Sequence, residues 1–341
     1  MQYHSCSLIE NFNLNFNGRV DTDQKIVALC CENIEDPPAI ALQETGKDTI
    51  ENFRKMRNYT ISESAISKKK RKHSRGCVSC AYYQLGNWKN DDLVHYVNLS
   101  MYPAPCQSQC IYCSIYKNDG DAFRSDTVVD GYKKVFDALS YAQISGLISP
   151  TAVWQVSSGE ITIHPYKEKI FDVIKNQSTA FYTNCFLYDE KIGANLADNP
   201  QSFINLSIDS GTPKTWYKVK GFDNFDHVTN NLVRYYTNSV RDGQITLKYI
   251  ILPGINDNYE DFLSVIEIMN VLHIRHLTLS RDVRYKYSLD EEQSEKLIGA
   301  AAYFVALLVK NEKTFDLSTY TPAERELAIA FANVLLKRKE V

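Results

Sequence analysis

The sequence predicts an α/β fold with parallel strands, and two observations carry that prediction. From about residue 93, apolar strand-like runs alternate six times with segments of helical period. Such alternation demands parallel strands joined by right-handed crossovers. The composition, 44% hydrophobic and 23% charged, is that of an ordinary globular chain rather than a disordered one. Periodicity alone fits an open doubly wound sheet as well as a barrel of (β/α) units.

Residues 1–92 read as a Cys-rich N-terminal region. Phe12–Phe16 alternates with period two, Asn17-Gly18 is a turn pair and Ile26–Leu29 returns, which predicts a short hairpin. Thr49–Arg57 reads as a helix. Residues 93–285 hold the regular part. Its strands are expected at Leu93–Met101, Ala152–Val156, Ala180–Tyr182, Phe203–Ile208, Ile245–Leu252 and Arg275–Leu279. Helices are expected at Asp126–Ser145, stopped by Gly146, at Tyr166–Lys175 after Pro165, at Asp226–Thr237 and at Tyr259–Leu272. Residues 286–341 read as two closing helices. The second carries a strong start signal: Thr321 as N-cap, Pro322 in the first turn and Glu324 three residues after the cap.

Charge excludes some functions. The 341-residue chain has 38 Lys and Arg against 41 Asp and Glu, a net of −3, so no global basic field points to nucleic acid. Met1–Glu10 lacks the layout of a signal peptide, and the longest apolar stretch, Leu297–Val309, is too short to span a membrane. A cytoplasmic protein with reduced thiols is expected. Its nine cysteines, an odd number in close groups, fit metal or cluster ligation better than a disulfide framework.

The chemistry-bearing motif is Cys106-Gln107-Ser108-Gln109-Cys110-Ile111-Tyr112-Cys113, a C-x3-C-x2-C loop after the first strand of the regular part. Three thiolates within eight residues can hold three irons of a [4Fe–4S] cluster and leave one iron open. The next cysteine, Cys185, is too distant in sequence to be a required fourth ligand. A structural zinc site or an electron-transfer cluster is the competing reading, but such sites normally recruit four protein ligands.

This loop resembles the signature of the radical SAM superfamily, C-x3-C-x-Φ-C, with Tyr112 as the aromatic residue. The resemblance extends over residues 93–285. Ser157-Ser158-Gly159-Glu160 is similar to the family's Gly-Gly-Glu segment, with Ser158 in place of the first glycine, and His164-Pro165 opens the following helix. Thr183-Asn184-Cys185 stands where many relatives have Thr-Asn-Gly. Ser207-Ile208-Asp209 and Lys248–Asp257 resemble the ends of the fourth and fifth strands. The resemblance implies a partial (β/α)6 barrel of the TIM type, with an N-terminal Cys-rich extension, C-terminal helices and a site at the C-terminal strand ends. It implies a [4Fe–4S] cluster on Cys106, Cys110 and Cys113, and S-adenosylmethionine bound through its amino and carboxylate groups. Reductive cleavage would give a 5′-deoxyadenosyl radical that abstracts hydrogen from substrate. The implied partner is a reductant such as ferredoxin or flavodoxin, with no membrane.

By position, Ser158, Gly159 and Glu160 are expected at the methionyl amino group, Glu160 as acceptor. Asn184 lies at the end of the third strand. Ser207 and Asp209 offer acceptors for ribose hydroxyls. Lys248 is expected to reach the cofactor carboxylate or an anionic substrate, and Tyr112 with the backbone to Gly254 to frame the adenine. Read alone, Gly-Glu after a strand is a common turn, and Ser207 and Asp209 are N-cap residues.

Cys77-Val78-Ser79-Cys80, with Cys6 and Cys30 or Cys31, completes four thiolates. The readings are an auxiliary Fe–S cluster, zinc, or unliganded reduced thiols. The run Lys68–Lys72, with His73 and Arg75, reads as a solvated loop or an anion contact. A radical SAM enzyme acting on a peptide, protein or carbohydrate is therefore expected. The rivals are a nucleic-acid-modifying enzyme of the same superfamily and a non-enzymatic iron–sulfur or zinc protein.

Overall fold

The computed structural model describes residues 3–30, 38–66, 83–86, 92–113, 121–157, 159–282, 289–317 and 319–338. The chain divides into two compact units. The first is Met1–Pro105 with Tyr116–Ala180; the second is Cys106–Ile115 with Phe181–Val341. The fold class is α/β, a partial (β/α)6 barrel of the TIM type whose sheet, among the described residues, does not close.

In the first unit, strands β6 (Val94–Tyr102) and β7 (Ile148–Val156) run parallel, as their helical crossover α3 (Asp126–Ile144) requires. Gly146 stops α3 in the left-handed conformation, φ 68°, as the sequence indicates. Helix α4 (Lys167–Val173) follows His164-Pro165. The N-terminal part builds onto this sheet. After β1 (Tyr3–Cys6) and the single turn α1 (Ser7–Glu10), strand β2 (Asn13–Arg19) lies parallel to β6 along its whole length, from Asn13 opposite Tyr96 to Arg19 opposite Tyr102. Two-residue strands β3 (Val27–Ala28) and β4 (Ala39–Ile40) continue the sheet antiparallel. Helix α2 (Gly46–Ile66) is longer than its expected Thr49–Arg57 core.

The expected hairpin forms with its turn moved. Residues Asn17 and Gly18 stay in β2, and the reversal falls after Arg19, whose guanidinium grips both oxygens of Asp21 at 3.0 and 2.8 Å. Gly18 sits at φ 134°, and a Cβ there would lie 2.9 Å from Ile26 Cγ2. The glycine thus serves a close cross-strand approach, and pairing with β6 keeps the residues around it extended.

Strand β5 (Tyr83–Gly86) pairs antiparallel with β1. Strand β8 (Ser178–Thr183) carries the chain from the first unit into the second. There β9 (Phe203–Ser207), β10 (Ile245–Ile251), β11 (His276–Arg281) and β12 (Thr314–Asp316) lie side by side, all parallel. Helices α5 (Glu190–Asp198), α6 (Pro213–Lys220), α7 (Phe225–Asn238) and α8 (Tyr259–Val271) alternate with them. The two expected closing helices are α9 (Glu291–Lys310) and α10 (Pro322–Arg338). Strand β12 between them is an addition, too short to show a period in the sequence.

Alternation along β10 separates its faces. Leu247, Tyr249 and Ile251 are buried, and Tyr249 packs edge-on against Phe262 of α8 and Phe304 of α9. Lys248, on the other face, is only half-buried. Among the described residues no helix is long and apolar enough to cross a membrane.

Phe304 is wholly buried and stacks on Phe262 at 4.2 Å. Phe304→Ala is expected to cost about 3–5 kcal/mol of stability, read as a lower thermal midpoint.

Candidate active site

The cysteine loop is fixed by the end of a helix. The last carbonyls of a helix have no partner within it, and two of those of α6 are taken up by the loop: Gln109 N–H donates to Lys220 O and Ile111 N–H to Val219 O, both at 3.0 Å. These donors flank Cys110, so its backbone is held from both sides. Gly221 ends α6 at φ 77° beneath Gln109, where a Cβ would lie 3.0 Å from Gln109 Cβ. The loop also closes its own turn, with Cys113 N–H donating to Cys110 O at 3.1 Å.

Beneath this loop lies a buried charged cluster. Lys220 Nζ is 2.5 Å from Asp209 Oδ2 and donates to the Tyr112 hydroxyl at 2.7 Å. The Tyr112 hydroxyl donates to the same carboxylate oxygen at 2.5 Å. The other oxygen, Oδ1, accepts from Ile250 N–H at 2.6 Å. Both Asp209 oxygens thus accept hydrogen bonds within the protein, and the side chain ties the loop to α6 and β10. Burial works against the Lys220 ammonium, but Asp209 and the Cys110 and Cys106 sulfurs hold its pKa above the ordinary value. Burial, reinforced by Asp209, pushes the Tyr112 phenol well up. The Tyr112 ring packs on Val219, Ile250 and Leu252.

Hydrogen-bonding groups surround the sulfurs. Asn184 Nδ2 lies 3.6 Å from Cys106 Sγ, and Ser108 Oγ lies 2.9 Å from Cys110 Sγ. Asn184 is itself held, its Oδ1 accepting from Phe186 N–H at 2.9 Å. Cys185, buried at φ 55°, adopts the left-handed backbone that glycine favours, which accounts for the Thr-Asn-Gly pattern it departs from. Among the described residues no three His, Cys, Asp or Glu side chains converge on a single ion. A lone metal needs all its thiolates within about 2.3 Å, whereas ligands of a cluster sit on separate irons. Three half-buried thiols on one anchored loop, with an amide and a hydroxyl directed at two of them, fit a [4Fe–4S] cluster with three protein ligands.

In the first unit the Gly159-Glu160 segment meets the start of the same loop. Gly159 has φ 56°, and a Cβ there would lie 2.5 Å from Pro105 O, so both conformation and space call for glycine. Glu160 N–H donates to Pro105 O at 2.8 Å. The Glu160 side chain is buried, and its Oε1 caps the turn Ile161–Ile163, accepting from Thr162 N–H at 3.2 Å and Thr162 Oγ1 at 3.0 Å. Ser158 lies outside the described residues.

A second anchor secures Pro103. His164 Nδ1 accepts from Tyr166 N–H at 3.1 Å, which leaves Nε2 as the protonated nitrogen. That nitrogen meets the Tyr132 hydroxyl at 3.1 Å, and the hydroxyl donates to Pro103 O at 2.7 Å. Burial lowers the His164 pKa to about 4.

In the second unit Ser207, Lys248, Thr278 and Asp316 lie in register on four neighbouring strands and form one polar row. Thr278 Oγ1 donates to Asp316 Oδ2 at 2.7 Å. Burial lowers the Lys248 pKa. Gly254 adopts φ 80° in an exposed turn, its N–H on Asp257 Oδ2 at 2.9 Å. A cavity of about 360 Å³ is lined by Ile111, Leu252, Pro253, Ile255, Gln293 and Leu297, among others.

Of the N-terminal cysteines, Cys30 is buried and Cys6 half-buried. Cys6 pairs in register with Tyr83, three residues after Cys80. Cys31, Cys77, Cys80 and the Lys68–Lys72 run lie outside the described residues. Sequence reading missed Lys220 and Tyr132. Lys220 ends a short helix whose start, Thr212-Pro213, carries the same signal as Thr321-Pro322. Tyr132 reads as one apolar position among many in α3.

Residues 105–266 match the family model described as "Radical SAM superfamily". Among solved structures, the chain is similar to SuiB of Streptococcus suis bound to S-adenosylmethionine, at 14% identity over 84% of this chain and 55% of that one, TM-score 0.47. A radical SAM methyltransferase from Sphaerobacter thermophilus matches at 13% identity over 62% of this chain and 63% of that one, TM-score 0.40. Methylornithine synthase matches at 13% over 71% and 70%, TM-score 0.41. The chain spans little more than half the length of SuiB. No curated protein matches it.

The His164 contacts yield a pH dependence. The unfolded chain takes up a proton near pH 6.5, but the folded one refuses it until about pH 4. Between those values the unfolded state binds more protons, so stability falls as pH falls, by about 3 kcal/mol across the window. Urea unfolding at pH 7 and pH 4 should show the wild type losing that much more than His164→Gln, and equal losses would reject the assignment.

Proposed function

We propose that the chain, whose residues 105–266 match the radical SAM superfamily model, is an enzyme that cleaves S-adenosylmethionine reductively at a cluster on Cys106, Cys110 and Cys113 and abstracts hydrogen from a peptide, protein or carbohydrate. The observation that carries this reading is the cysteine loop itself, capped on α6 and supplied with donors at two of its sulfurs. A bound [4Fe–4S] cluster would supply the electron for sulfonium cleavage and an open iron for the methionyl amino and carboxylate groups. A protein reductant such as ferredoxin or flavodoxin would deliver that electron.

The chain's own residues then bind and orient. Glu160, with Gly159 and Ser158 beside it, accepts from the methionyl ammonium. Lys248 balances a carboxylate, and Ser207, its neighbour in register, offers a hydroxyl to the ribose. The largely apolar cavity beside Ile111 and Leu252–Ile255, up to Gly254, takes the adenine and keeps water from it. Tyr112 and Asp209 hold the loop in place, and Asn184 steadies Cys106. The polar row Ser207–Lys248–Thr278–Asp316 supports a polar substrate rather than a lipid. In the N-terminal region, Cys6, Cys30 or Cys31, Cys77 and Cys80 supply thiolates for a second Fe–S cluster or a zinc ion.

Reduced, reconstituted protein should convert S-adenosylmethionine to 5′-deoxyadenosine and methionine. Cys110→Ala should abolish this, and unchanged turnover in that variant would sink the assignment. Glu160→Gln should bind S-adenosylmethionine about ten- to a hundredfold more weakly, the loss of one charge-assisted hydrogen bond. Its iron content should be unchanged, and wild-type affinity by calorimetry would reduce Glu160 to a turn residue.

A further inference from the structure

We infer that the Lys220–Asp209 ion pair sets how readily a cluster on the cysteine loop accepts an electron, with the two residues acting in opposite directions. The inference rests on the reading of Cys106, Cys110 and Cys113 as cluster ligands. It starts from a cost. Both side chains are essentially inaccessible, at 1% and 0% exposure. Burying two charges forfeits their hydration, and an apolar pair of the same size would often be at least as stable. The loop is also capped by two backbone hydrogen bonds and packed through Tyr112, so the ion pair adds two fixed charges to a segment that has other anchors as well.

The surroundings indicate what the charges do. The ammonium donates at 2.7 Å to Tyr112, the residue before Cys113, the Lys220 carbonyl accepts from Gln109 N–H beside Cys110, and the Cys110 and Cys106 sulfurs act on the ammonium charge. The carboxylate accepts from Lys220, Tyr112 and Ile250 N–H, so neither charge can turn away from the loop. Taking up an electron makes a thiolate-bound cluster more negative. A fixed cation nearby favours that step and a fixed carboxylate opposes it, strongly so where water is excluded. The carboxylate is fixed between Tyr112 and the Ile250 N–H of β10, and the ammonium between Tyr112 and the carboxylate, so both charges keep their places beside the loop.

The test is an anaerobic redox titration of the reconstituted full-length protein, without S-adenosylmethionine, followed by electron paramagnetic resonance. Iron and sulfide are counted in the same samples. In Lys220→Met the ratio of reduced to oxidised cluster at a fixed potential should fall at least tenfold, about 59 mV for one electron. In Asp209→Asn it should rise. A pair that only braces the loop would lower cluster content in both variants without opposite shifts. Opposite shifts with four irons retained support the inference, while equal or same-sign shifts overturn it. If Lys220→Met fails to hold a cluster, Asp209→Asn and the charge-preserving Lys220→Arg decide: a raised ratio in the first with little change in the second supports the pair, and no rise in the first overturns it. A wild-type protein that takes up no four-iron cluster on this loop overturns the proposed function instead, whereas an intact wild-type cluster with unmoved variants overturns this inference alone.

Discussion

The capping of one short helix by one loop is the constraint on which the site depends. Helix α6 has eight residues, too few to be stable by itself. The backbone of Gln109 and Ile111 satisfies its open C-terminal carbonyls, and in return those carbonyls fix the residue between them, Cys110. Each element supplies what the other lacks. Asp209 reaches the same place from the end of β9 and Tyr112 from the loop, so strand end, helix end and loop meet on one lysine. Thiol position is thereby set by backbone hydrogen bonds rather than by rotamers of exposed side chains, which suits a ligand set that must hold a cofactor in one orientation.

A comparable arrangement holds the loop's beginning. Gly159 lets the backbone after β7 pass against Ala104 and Pro105. Tyr132, from the middle of α3, spends its hydroxyl proton on Pro103 O while His164 supports it from behind. These contacts all lie within the first unit, to which the residues up to Pro105 belong, while Cys106–Ile115 belong to the second.

Most of the fold was legible in the sequence because parallel strands buried on both faces read as apolar runs, and all six expected strands of residues 93–285 form. The Thr321-Pro322-Glu324 start signal is realised as a reciprocal cap, with Glu324 N–H on Thr321 Oγ1 and Thr321 N–H on Glu324 Oε2. The turn at Asn17-Gly18 was misplaced because a local signal lost to pairing with a strand some eighty residues away. The cysteine loop was legible because its ligands are close in sequence. Lys220 was not: its partners are Asp209, eleven residues earlier, and Tyr112, 108 residues earlier, which only the fold brings together, and on a short helix it reads as a surface cation. Asp209 was legible as a special residue, but sequence could not tell that both its oxygens accept hydrogen bonds inside the protein.

The parallel pairing of β2 with β6 bears on how the protein is made. Tyr96 stands 83 positions after Asn13, its partner in register. During synthesis Leu14 and Phe16, both fully buried in the finished protein, leave the ribosome long before the strand that covers them. At about 5–20 residues per second, that interval lasts several seconds. Throughout it β2 has only the short antiparallel return of β3 beside it, and a two-stranded ribbon of that size is not stable alone. The two apolar side chains of the N-terminal strand therefore stay uncovered until β6 has been made, and only then can the sheet grow outward to β7.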